Sequence, residues 1–147
     1  MSLKRFALAV LFACAGMGTH PLQAQCKSFT KRKCLPHLAP YMNNGQLNTA
    51  TMSPGQTADM IMNFNSGQSY RIIVCGEGVL GPVEFVVKDA SGNVLFTNKK
   101  QEVFTDSWDF SMEQTTQLTV TVKVPDQVDK TQFNREGCVT VLVGFKK

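Results

Sequence analysis

Apolar and polar residues alternate strictly from Gln117 to Val124, with Leu118, Val120, Val122 and Val124 on one side and Thr119, Thr121 and Lys123 on the other. A strand that buries one face needs this period of two, whereas a helix repeats near every 3.6 residues. Ala58 to Phe64 alternates in the same way through Met60, Met62 and Phe64, and Asn65-Ser66-Gly67 closes it as a turn. Tyr70 to Cys75 and Cys138 to Phe145 are rich in β-branched residues and read as strands, the second being the last in the chain. Val83 to Lys88 and Val94 to Thr97 flank Asp89 to Asn93, where Gly92 and Asn93 tolerate the positive φ of a tight turn, so a hairpin is expected. Val103 to Met112 carries Phe104, Trp108 and Phe110, preceded by a polar connection from Asn98 to Gln101.

The N-terminal part reads differently. Cys26 to Met42 is basic and then interrupted by Pro36 and Pro40, which lack an amide proton and restrict the residue before them, so a short helix or turn is expected there. Met1 to Arg5 supplies a positive start through Lys4 and Arg5, Phe6 to Ala15 is apolar, and Leu22-Gln23-Ala24 offers a cleavage site before Gln25. That is the pattern of an export signal over residues 1–24. A rival processing route reads Leu11 to Cys14 as a lipobox, with Cys14 acylated and kept as an anchor. The expected organisation is then residues 1–24 as signal peptide, 25–55 as an N-terminal segment packed on the sandwich, and 56–147 as the strand-built domain.

About seven short strands separated by Gly, Pro and Asn turns make an all-β fold the economical solution: an antiparallel β-sandwich, jelly-roll or Greek-key-like. The chain has 147 residues, 15 basic and 11 acidic. Loss of residues 1–24 removes Lys4 and Arg5 and no acid, which leaves 13 basic residues against 11. A nucleic-acid partner is therefore not expected. No later apolar stretch is long enough for a transmembrane span in the mature chain.

Five cysteines occur, and four remain outside the signal: Cys26, Cys34, Cys75 and Cys138. An even set in an exported chain reads as a disulfide staple. Cys75 ends one strand and Cys138 begins another, which favours pairing them and leaves Cys26 with Cys34. Cys26–Cys75 with Cys34–Cys138 is the alternative that ties the N-terminal segment to the sandwich. No Cys-x-x-Cys occurs, and His37 is the one histidine beyond the signal, so zinc, thioredoxin-like and papain-like chemistry lack their motifs. No metal or other cofactor is expected.

Asp106, Trp108, Asp109 and Glu113 place carboxylates beside an aromatic and form a candidate ligand or ion surface, although the regular calcium-loop spacing is missing. The same carboxylates are the candidates for a small hydrolase. Lys31, Arg32 and Lys33 suit a solvated face, or contact with anionic lipid, lipopolysaccharide or an acidic partner. Tyr41 with Trp108 is a candidate sugar-stacking pair. Gly76 to Gly81 lacks the following helix and lysine of a phosphate loop.

Tyr70 to Cys75, then Val83 to Phe96 with its Asp89 and Gly92 hairpin, then Trp108-Asp109-Phe110 and Leu118 to Val122 together resemble bacterial exported β-sandwich modules of the prepeptidase-C-terminal or GOLD-like type. The whole chain is also similar to small exported proteins of Bacteroidetes. The resemblance covers residues 56–145 and implies a sandwich in an exported protein, with no functional residue attached. The expectation is thus an exported, non-catalytic binding or assembly module of the cell envelope, periplasmic or secreted, with an envelope protein or a glycan as partner. A carboxylate-dependent hydrolase and an outer-membrane lipoprotein anchored through Cys14 are the alternatives.

Overall fold

The computed structural model describes residues 22–127 and 135–147. Among these residues, eleven strands follow a helical segment: β1 (Met42–Asn43), β2 (Asn48–Met52), β3 (Thr57–Phe64), β4 (Gln68–Gly76), β5 (Glu84–Lys88), β6 (Val94–Thr97), β7 (Lys99–Lys100), β8 (Val103–Phe104), β9 (Ser107–Met112), β10 (Thr116–Lys123) and β11 (Gly137–Lys146). All pairings are antiparallel. One sheet runs β1-β11-β4-β9 with β2 also on β11, and the other runs β3-β10-β5-β6. The fold is an all-β sandwich, with most connections crossing between its layers.

β10 behaves as its alternation demands, with Leu118, Val120 and Val122 buried and their neighbours turned outward. These side chains meet Ile72, Val74, Val139, Val141 and Val143 of the facing sheet, together with Phe85 and Val87, in one core. The β5–β6 hairpin turns at Asp89, whose Oδ1 accepts from the amides of Ser91 and Asn93, each at 2.9 Å. Gly92 takes the positive φ of +85°.

β11 departs from alternation: Gly137 through Gly144 are all buried. Its sheet is covered on both faces, by the opposing sheet on one side and by the helical segment on the other. That segment runs from the α-helix α1 (Leu22–Phe29) through a π turn (Thr30–Cys34) into a 3-10 turn (Leu35–Leu38). Cys26, Thr30, Cys34 and Leu38 are each at most 2% exposed. On a helix of 3.6 residues per turn, a four-residue spacing drifts around the axis; the wider π turn takes up that drift and keeps the row against the sheet. Gly144 allows the close approach, since a Cβ there would lie 2.6 Å from Tyr41 Cβ and 2.8 Å from Leu38 Cγ.

The disulfides are Cys26–Cys138 and Cys34–Cys75, with Cα separations of 5.3 and 6.1 Å. This corrects the expected Cys75–Cys138 and Cys26–Cys34 pairing, and it is also not the alternative. Cys75 lies opposite Thr140 in the β4–β11 register, two residues from Cys138. Such a diagonal spans about 7–8 Å, beyond comfortable disulfide reach. The helix crosses this face and offers each strand cysteine its own partner.

Three further differences concern strands. β1 and β2 lie in the stretch expected to be irregular, because β2 (Asn-Thr-Ala-Thr-Met) carries little apolar signal. The run from Val103 to Met112 is broken between β8 and β9. Asn98, read as part of a polar connection, is only 3% exposed: its amide donates to Val83 O at 2.9 Å and Thr105 O at 3.0 Å and accepts from Phe85 N at 2.7 Å.

Candidate binding edge of the sandwich

The two open sides of the sandwich are built differently. On the side of β6 and β9, Phe96 stacks on Trp108 at 5.2 Å and Trp108 on Phe110 at 4.2 Å, so aromatic rings bridge the layers. On the side of β2 and β3, Phe64 at the end of β3 meets Tyr70 of the facing sheet at 4.9 Å, and away from that end the gap is open. An apolar cleft of about 280 Å³ opens there between Ala50 and Met52 of β2 and Ala58 and Met60 of β3, floored by Val122, Val139 and Val141. Along the same side, further depressions involve Val143 with Asn44, Asn63 and Met62. Val139, Val141 and Val143 are successive inward side chains of β11, so the depressions follow one line with an amide-rich rim.

The register explains the walls. Met60 lies opposite Val120 and Met62 opposite Leu118, which turns both methionines toward the gap between the layers. Both are half-buried, and methionine's unbranched chain repacks readily around different shapes. Ile61 falls on the outer face of the same strand and is 64% exposed.

Among the described residues, β3 is an edge strand of eight residues that pairs only with β10, in unbroken register. Edges of this kind are normally blunted by lysine, proline, bulges or shortness. β3 has no lysine, proline or register shift, and its single charge, Asp59, accepts from the Thr121 hydroxyl at 2.6 Å. The opposite edge of that sheet, β6, has four residues and a register irregularity beside it at Val87/Lys88.

The sequence-derived candidates do not converge. Trp108 packs against the core, while Asp109 projects from the other face of β9 toward Arg71, its register partner on β4. Arg71 Nε and Nη2 donate to the two Asp109 oxygens at 2.6 and 2.7 Å. That hydrogen bonding, and one from Tyr41, holds the Asp109 carboxyl below the usual carboxylate range, opposite to what a general acid needs. Asp106 and Glu113 are exposed on either side of β9. Among the described residues, no group of three or more His, Cys, Asp or Glu is placed to hold a metal ion.

Tyr41 packs with the cluster under the helical segment, on the other face of the sheet from Trp108, so the two form no common stacking surface. Its ring instead lies 4.7 Å from the Arg71 guanidinium and 4.7 Å from Lys146 Nζ. Cys34 is in a disulfide, and His37 on the surface contributes its backbone carbonyl to Arg71. Cys14 and most of the expected signal peptide lie outside the described residues. The β2–β3 cleft had no motif; its one advance signal was the paired methionines at alternating positions in β3.

No family model matches the chain, and no curated protein matches it. Among solved structures it is similar to PliG, a periplasmic inhibitor of g-type lysozyme from Aeromonas hydrophila, at 9% identity and a TM-score of 0.49, covering 69% of this chain and 85% of that one. It is also similar to a de novo designed double-stranded β-helix at 14% identity and a TM-score of 0.33, covering 69% of this chain and 99% of that one. At these scores neither likeness bears on what this chain binds.

Proposed function

We propose that this protein is an exported, non-catalytic binding module that accepts an extended segment of an envelope protein along the open side of its sandwich. The observation that carries the reading is β3: a long, unblunted edge strand directly beside an apolar cleft. A partner segment hydrogen-bonded to the free edge of β3 alternates its side chains, and every second one enters the gap between the layers. Met52, Met60 and Met62 then adjust to the side chains that arrive. The two disulfides suit an oxidising compartment. No helix among the described residues is long and apolar enough to cross a membrane.

The test is site-specific photo-crosslinking in cells, with a benzophenone amino acid at Ile61 and, as control, at Ser91 in the β5–β6 turn. A discrete protein adduct at position 61 that is absent at 91 supports the reading, and Ile61→Lys should remove the partner while leaving the urea midpoint unchanged. Adducts at 91 alone, or none at 61, would overturn it.

A further inference from the structure

All 11 acidic residues of the chain lie from Asp59 onward. Residues 22–58 hold Lys27, Lys31, Arg32 and Lys33 and not one carboxylate. The structure gathers these four cations on the helical segment, and all four are exposed. They fill the exposed positions between the buried residues Cys26, Thr30 and Cys34, which face the sheet. None of the four forms an ion pair among the described residues, where the pairs are Arg71–Asp109 and Lys99–Glu84. The helix dipole favours a cation in the last turn, but three consecutive cations and a fourth a turn earlier exceed that need.

The face is also held rigidly. Disulfides fix the segment at Cys26 and Cys34, and Thr30 Oγ1 meets Thr140 Oγ1 at 2.7 Å between them. The backbone that carries the cations therefore needs little ordering before it meets a partner. Beside them, Phe29 and the exposed Val79 border a shallow depression with Arg32 and Lys33. Glu77, the acid in that depression, is engaged by the Cys138 amide at 2.8 Å.

From this geometry we infer that the outward face of the helical segment is a docking surface for an anionic phospholipid membrane. Three of the four cations are lysines, which are compact point charges on flexible stems; a diffuse layer of headgroup phosphates suits them better than bidentate recognition of a single carboxylate would. Val79 and Phe29 supply apolar contact at the rim. The surface lies on the helical segment and not in the β2–β3 cleft, so it stands or falls independently of strand acceptance.

The test uses the mature, oxidised protein and vesicles of phosphatidylcholine alone or mixed equally with phosphatidylglycerol, read by co-sedimentation. Association with the mixed vesicles only, weakening steeply between about 50 and about 300 mM salt, is the expected result. Each basic side chain near such a surface contributes roughly fivefold in association, so Lys31→Gln with Lys33→Gln should lose about 25-fold. Lys100→Gln with Lys123→Gln removes the same charge elsewhere and should lose far less. Circular dichroism confirms that both variants stay folded. Equal losses in the two variants would assign any binding to net charge and overturn the surface. So would binding to neutral vesicles at the same strength, or retention by soluble dextran sulfate with no vesicle association.

Discussion

Thr30 Oγ1 lies 2.7 Å from Thr140 Oγ1, both residues fully buried where the π turn crosses β11. Thr30 Oγ1 also donates to Cys26 O at 2.8 Å, and Thr140 Oγ1 is 3.1 Å from Thr49 Oγ1 on β2. Three elements thus share one line of hydroxyls in an otherwise apolar contact. Thr30→Val is isosteric and removes one member while its partner stays buried, which should cost about 1–2 kcal/mol. In a double-mutant cycle with Thr140→Val by urea unfolding, the pair should show a coupling of about 1 kcal/mol. Additive losses would mean that the two hydroxyls act separately.

The disulfides carry a larger share. Cys26–Cys138 closes a separation of 112 residues and Cys34–Cys75 one of 41. On the chain-entropy account each formed without the other stabilises by about 5 and about 4 kcal/mol, and the two together by somewhat less than the sum because one loop lies inside the other. Replacing either pair by alanines should lower the urea midpoint accordingly. Non-reducing peptide mapping should recover linked peptides for these two pairings; a Cys75–Cys138 peptide would refute the helix-over-sheet arrangement.

What could be read from the chain divides along the range of the interactions. β10 follows from local period, β4 and β11 from their β-branched content, and the Asp89–Gly92 hairpin from turn chemistry, so neighbouring residues suffice to define them. The disulfide connectivity depends on Cys75 standing opposite Thr140 and not opposite Cys138, and register between distant strands leaves no mark in either strand alone. The same holds for Arg71 and Asp109, two outward polar residues whose pairing appears only once β4 and β9 align. Alternation within Ser107–Met112 already implied that Trp108 and Asp109 face opposite ways, and that separates the aromatic from the carboxylate of the candidate ion surface. β2 was hidden because polar Thr and Asn dominate it, and the edge character of β3 is a property of the whole sheet.

Asn98 closes the ladder where β5 meets the strand that returns from β6. Asn98→Ala would leave Phe85 N, Val83 O and Thr105 O without their side-chain partner, and Phe85 is fully buried. Unsatisfied buried groups cost about 1–3 kcal/mol each, partly relieved by water at the more exposed Thr105, so a loss of about 2–4 kcal/mol is expected. Amide hydrogen exchange gives an independent reading: the Phe85 amide should lose protection far more than amides of β11. Uniform loss across both sheets would show global destabilisation without a local role.

The Arg71–Asp109 pair ties β4 to β9, while Arg71 Nη1 donates to Ala39 O at 2.8 Å and so also holds the end of the helical segment. The Asp109 carboxyl is depressed by its hydrogen bonds from Arg71, so its contribution is complete above the unfolded value near 3.9 and is lost as pH falls through the lower folded value. Asp109 is 45% exposed at its side chain, which limits the pair to about 1 kcal/mol or less through solvent screening. Asp109→Asn should therefore lower the urea midpoint slightly at neutral pH, and the gap to the wild type should close as pH falls below about 4. Raising salt at neutral pH should narrow the same gap. A gap that persists undiminished at about pH 2 would assign the effect to packing of the asparagine and remove the charge from the account.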